Sequence, residues 1–70
     1  MQNDLNQISF VVYCVETYKA AKKLEGNTAY RLLKESGAIR FIDDNYEALH
    51  TFGDAEIVWN IEKYMANQKR

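Results

Sequence analysis

Apolar residues recur along this chain at three- and four-residue intervals, the spacing of helices rather than strands. In the stretch from about Asp4 to Leu24, Ile8, Phe10, Val11, Val12, Cys14, Val15, Tyr18 and Ala21 cover a broad arc of a helical wheel. Ser9, Glu16, Thr17 and Lys23 fall outside that arc, and Tyr13 lies off its main part. An arc that wide predicts a central helix in contact with several others. The segment "ISFVVYCV" is rich in β-branched and aromatic residues, as strands are. No breaker separates it from the helix-forming "ETYKAAKKLE", so one continuous helix is expected. Asp4 followed by Gln7 predicts a capping pair at its start. Lys19, Lys22 and Lys23 gather at its end, where cations complement the helix dipole.

The three glycines, Gly26, Gly37 and Gly53, are expected to take the left-handed conformation that ends helices. Between the first two, Asn27 to Ser36 reads as an amphipathic helix capped by Asn27 or Thr28. It places Ala29, Tyr30, Leu32, Leu33 and Ser36 on one side and Arg31, Lys34 and Glu35 on the other. The next piece, "AIRFIDDNYEALHTF", is read as a single turn or short extended link at "AIRFI", then a short helix from Asn45 to about Thr51. Asp44 and Glu47 would form its capping box, and Tyr46, Leu49 and Phe52 would point inward. The last helix is expected from an N-cap at Asp54. Its inward stripe is Ile57, Val58, Ile61, Tyr64 and Met65, which leaves Trp59 on the opposite side between Glu62 and Lys63. The predicted architecture is therefore all-α: a small bundle of about four helices, the third short, helix one central. Residues 1–70 form one domain, with 1–4 and 67–70 expected to fray.

Composition narrows the function classes. A domain this small buries only about 60% of its unfolded surface, and it needs support from a disulfide, a metal, a partner or an economical core. One cysteine excludes an internal disulfide, and one histidine with one cysteine falls short of the four such ligands of a structural zinc site. No metal and no cofactor are expected. The net charge of −1 lacks the positive field of a dedicated nucleic-acid binder. The polar start, Met1 to Gln7, has no basic region of a signal peptide, and Ile8–Val15 is too short to span a bilayer. A cytoplasmic location is expected.

Four side chains stand out as candidates for a partner contact: Trp59, Tyr13, His50 and Thr51. Trp59 and Tyr13 lie off the core stripes, and such residues anchor protein interfaces. His50 is the only candidate general base near neutral pH, but Cys14 falls on the buried side of helix one and gives it no nucleophile. His50 is read as a residue that caps the end of the short third helix. The two middle helices are also compatible with a helix-turn-helix. Its recognition segment would read "DDNYEALH", whose carboxylates repel phosphates, although Arg31, Lys34 and Arg40 supply some positive charge.

The order of motifs resembles a small bacterial family, domain of unknown function 3791. The resemblance runs from "ISFVVYCVETYK" through "AYRLLKESGAIRFI" and "NYEALHTFG" to "EIVWNIEKYM", with "YEALHTFG" the most specific piece. It marks His50 and Thr51 as family features, and Trp59 as particular to this chain, since family members usually carry an acidic residue there. It transfers no activity and no catalytic residue. Related genes lie beside those of small toxin-like enzymes, including ADP-ribosyltransferase-like ones, which implies an antitoxin or accessory role. The expectation is a non-enzymatic protein-interaction module with a protein partner or a second copy of itself. The alternative is a helical nucleic-acid-binding regulator, and a small enzyme built on His50 is a third.

Overall fold

A computed structural model describes residues 5–68. Among them five helices follow one another: α1 (Leu5–Lys22), α2 (Gly26–Glu35), α3 (Ala38–Asp44), α4 (Tyr46–Leu49) and α5 (Asp54–Gln68). No strand occurs among the described residues, so "ISFVVYCV" is helical as its uninterrupted continuation requires. The Asp4 cap and residues 1–4, 69 and 70 of the expected frayed ends lie outside the described residues. Asn67 and Gln68 belong to α5.

The core is formed by Cys14 and Tyr18 of α1, Ala29 and Leu33 of α2, Ala38 and Ile42 of α3, Leu49 of α4, and Ile57 and Ile61 of α5. Every helix therefore contributes. Helix α1 packs against α2, α3 and α5, as its broad arc predicts. The same is true of α3, which touches α1, α2, α4 and α5. "AIRFI" is thus neither a single turn nor an extended link. It opens a two-turn helix that inserts Ala38 and Ile42 into the centre, and burial of those side chains overrides the weak local signal.

The helix boundaries correct five expectations. The left-handed residue that ends α1 is Lys23 (φ 56°), not Gly26, which is the first residue of α2. Leu24 N–H donates to the Lys19 carbonyl at 3.0 Å and Lys23 N–H to that of Ala20 at 3.3 Å, the paired bonds of a Schellman motif. Leu24 then packs onto the core, and this anchor holds Lys23 in a conformation that a glycine would take more readily. Gly37 does behave as expected, at φ 87°. It closes α2 through N–H donation to Lys34 O at 3.1 Å and starts α3 by accepting from Phe41 N at 3.0 Å. Gly53 is not left-handed; its carbonyl accepts from Ile57 N–H at 3.0 Å, so Asp54 is the first residue inside α5 rather than its cap. Neither Asn27 nor Thr28 caps α2, where Glu25 holds the N-cap position without a side-chain bond. The Asp44–Glu47 box is likewise replaced, because Asp44 ends α3 and Asn45 alone links it to α4. Asn45 Nδ2 is committed to the Phe41 carbonyl at 2.8 Å.

Two contacts join the ends of the bundle. Gln7 Nε2 donates to the Asp43 carbonyl and to its Oδ1, at 2.8 and 2.9 Å, tying the start of α1 to the end of α3. Lys22 pairs with Glu62, linking α1 to α5. That carboxylate holds the Lys22 ammonium above its usual pKa. Phe41 stacks on Tyr64 with centroids 4.5 Å apart, which closes α3 onto α5. Several residues expected on buried faces are exposed instead: Ile8, Val12 and Ala21 on α1, and Tyr30 and Leu32 on α2. Only five short helices surround the core, too few to cover so broad an arc.

Candidate functional site

The four candidate residues lie in two connected neighbourhoods. His50 follows α4 as its C-cap and donates Nδ1–H to the Tyr46 carbonyl at 2.8 Å. Thr51 donates its hydroxyl to the Ala48 carbonyl at the same distance. Each of these carbonyls also accepts a backbone N–H, from His50 at 2.9 Å and from Thr51 at 3.3 Å, so the side chains add second bonds at the end of α4. The capping expected of His50 is what the geometry contains. The imidazole also stacks on Tyr46, with centroids 4.7 Å apart, and meets Phe10 of α1 edge-on at 6.5 Å. His50→Ala is expected to lower stability by about 0.5–1 kcal/mol in urea denaturation. Unchanged stability combined with lost partner binding would move this residue from cap to interface.

Phe10 carries the arrangement across to Tyr13. Its ring stacks on Tyr13 at 6.2 Å and meets Tyr46 edge-on at 5.4 Å. Tyr13 is 45% exposed and donates its hydroxyl to Asp54 Oδ1 at the start of α5. Hydrogen bonding to that carboxylate raises the Tyr13 pKa. Beside this bond runs an open groove of about 670 Å³ between α1 and α5. Small side chains, Ala20, Ala21, Ala55 and Val58, make its floor, while Glu16 and Asp54 put carboxylates on its rim. Trp59 lies one turn beyond Ala55 on α5 and is 57% exposed, as its phase against Ile57 and Ile61 requires. Lys63 Nζ stands over the indole, 4.8 Å from its centroid. Phe10 thus brings Tyr13 and His50 together at one end of the bundle, with Thr51 next to His50 in the chain. Trp59 is not among the residues that line the groove.

Phe10, expected only on the apolar arc of helix one, and Asp54, expected only as an N-cap, are not among the four candidates. Phe10 had a signal, since it stands three residues before Tyr13 on one helix. Asp54 had none for this role, because its partner is 41 positions away.

The other chemically notable groups are accounted for by packing. Cys14 is fully buried, and burial pushes its thiol up to about 12, so it is protonated at neutral pH. Arg31, Lys34 and Arg40 are exposed, but each has acidic company. Arg31 and Lys34 line a hollow with Glu35, and Arg40 Nε stands 3.5 Å from Asp44. Among the described residues no group of three or more His, Cys, Asp or Glu side chains is placed to hold a metal ion. No described helix is long and apolar enough to cross a membrane.

No curated protein and no solved structure matches the chain. A family model does, over residues 9–68, and that span holds α2 to α5, most of α1 and all four candidate residues. The chain belongs to the family described as Protein of unknown function (DUF3791).

Proposed function

We propose that this chain is a non-enzymatic protein-interaction module that binds another protein through the α1–α5 face. The observation that carries this reading is the exposed indole of Trp59 on α5, one turn beyond Ala55, which lines an open, acid-rimmed groove. An indole half in water leaves apolar area uncovered, worth roughly 25 cal/mol per Å² when a partner covers it. Trp and Tyr supply that area at low entropic cost, which is why they anchor interfaces. The small residues on the groove floor allow close approach, and Glu16 and Asp54 favour an occupant with Lys or Arg beside an apolar stripe. An amphipathic basic helix has that chemistry. In the cell the role we propose is that of an antitoxin-like or accessory partner to a toxin-like enzyme.

The test is affinity purification of the tagged chain from its native cell, run beside Trp59→Ala and Tyr13→Ala. The expected result is one co-eluting protein that both variants lose while keeping wild-type helicity by circular dichroism. With that partner purified, the indole emission should shift to the blue on mixing. Retention of the partner by both variants would remove this face from the interface. Recovery of nucleic acid in place of protein would support the regulator alternative.

A further inference from the structure

Helix α1 carries a second apolar surface, on the side that faces α2 and α3 rather than α5. Leu5, Ile8, Val12 and Val15 are spaced three, four and three residues apart, the a–d–a–d pattern of a helix that pairs with another helix. Leu5, Ile8 and Val12 are 77%, 48% and 56% exposed, and only Val15 dips toward the core. Ile8 and Val12, with Val11, form one wall of a groove of about 460 Å³. Ile39 adds to the apolar lining, and Lys34, Arg40 and Asp43 complete it, two cations to one carboxylate, the carboxylate accepting from Gln7 Nε2. Contiguous exposed aliphatic surface of this kind marks a contact site on a small domain.

We infer that this groove is filled by α1 of a second copy of the chain, in an antiparallel two-fold dimer. The a–d pattern is the first reason. Antiparallel pairing sets Ile8 against Val12 of the second copy and Leu5 against its Val15, and the two-fold axis repeats each contact. Charge is the second. Glu16 lies one turn beyond Val12 on α1, so an entering α1 brings a carboxylate toward the wall that carries Lys34 and Arg40. The ion pairs these groups form within one chain, Glu16 with Lys19 at 3.1 Å and Arg40 with Asp44 at 3.5 Å, are exposed and cost little to exchange. A surface that offers both the stripe with its acid and the groove with its bases is complementary to itself, as an isologous interface demands.

This inference rests on the reading of the chain as an interaction module but uses a face that shares only Glu16 with the α1–α5 groove, so Val12→Glu and Trp59→Ala each test one of the two alone. The experiment is sedimentation equilibrium of the full chain from low to high micromolar concentration. The wild type should rise toward twice its 8.2 kDa mass. Val12→Glu should stay at 8.2 kDa throughout, with at least tenfold weaker association. Leu5→Lys, at the most exposed position, should also weaken the dimer without touching the fold, and circular dichroism checks both. Glu16→Lys should weaken association, and mixing it with a Lys34→Glu, Arg40→Glu chain should restore part of it. Trp59→Ala should dimerise as the wild type does. A wild type that remains at 8.2 kDa, or seam variants that associate normally, would overturn the proposal. Loss of the dimer in Trp59→Ala alone would overturn it too, by seating the second copy in the α1–α5 groove.

Discussion

Ile42→Ala should lose about 2–5 kcal/mol, a large part of the stability this chain has. Ile42 is fully buried in α3, the helix that touches the other four. Truncating a buried isoleucine costs about 2–5 kcal/mol, the lost transfer energy plus the cavity left behind. A domain of this size has only about 3.5–10 kcal/mol of total stability to lose, at the usual 0.05–0.15 kcal/mol per residue. The cavity is hard to close here. The companions of Ile42 in the core, among them Leu33 of α2 and Ile57 and Ile61 of α5, belong to other helices and are already fully buried. Urea denaturation followed by far-ultraviolet circular dichroism measures the effect. A loss below about 1 kcal/mol would show that α3 is dispensable to the core and that α1, α2 and α5 pack without it. If the dimer forms, wild-type stability will rise with protein concentration, so both chains must be compared at one concentration.

The second large effect is expected at Gly37. Its φ of 87° lies where a side chain costs about 1–2 kcal/mol, and a Cβ would sit 3.0 Å from Tyr64 Oη. The Tyr64 ring is stacked on Phe41, so it cannot swing aside without losing that contact. Gly37→Ala should therefore cost about 1–3 kcal/mol. A double-mutant cycle separates the two causes. In a Tyr64→Phe background the hydroxyl is gone and the backbone term alone remains, so the penalty should shrink but persist. A penalty that vanishes there would mean the conformation carries no strain. One that does not change would mean Tyr64 moves freely.

Helix α5 shows how much can be read from spacing alone. Ile57, Ile61, Tyr64 and Met65 define one stripe, and the 100° step then forces Trp59 outward, where it is found. Such a helix is decided locally, because one face is apolar and the other is not. The same holds for the left-handed Gly37 and for His50, whose bond to a carbonyl four residues back is within reach of its own turn.

Helices α1 and α3 mark the limit. Apolar residues go most of the way round α1, so periodicity names every candidate for burial and cannot rank them. Cys14 is buried while Val12, two positions away, is exposed, and only the placement of α2, α3 and α5 makes that difference. Helix α3 has only seven residues, and its N-cap, Gly37, has no side chain to offer. Its helical form depends on Ala38 and Ile42 entering a core assembled from the rest of the chain. Long-range pairs are equally silent in the sequence. The bonds from Tyr13 to Asp54 and from Gln7 to Asp43 join residues 41 and 36 positions apart, and no local spacing encodes them. The sequence by itself determined the helical class, the phase of α5 and the caps made within one turn. Tertiary structure decided which apolar residues of α1 stay in water, and with them the two grooves, because burial is a property of neighbours and a helix chooses its neighbours only when the whole bundle closes.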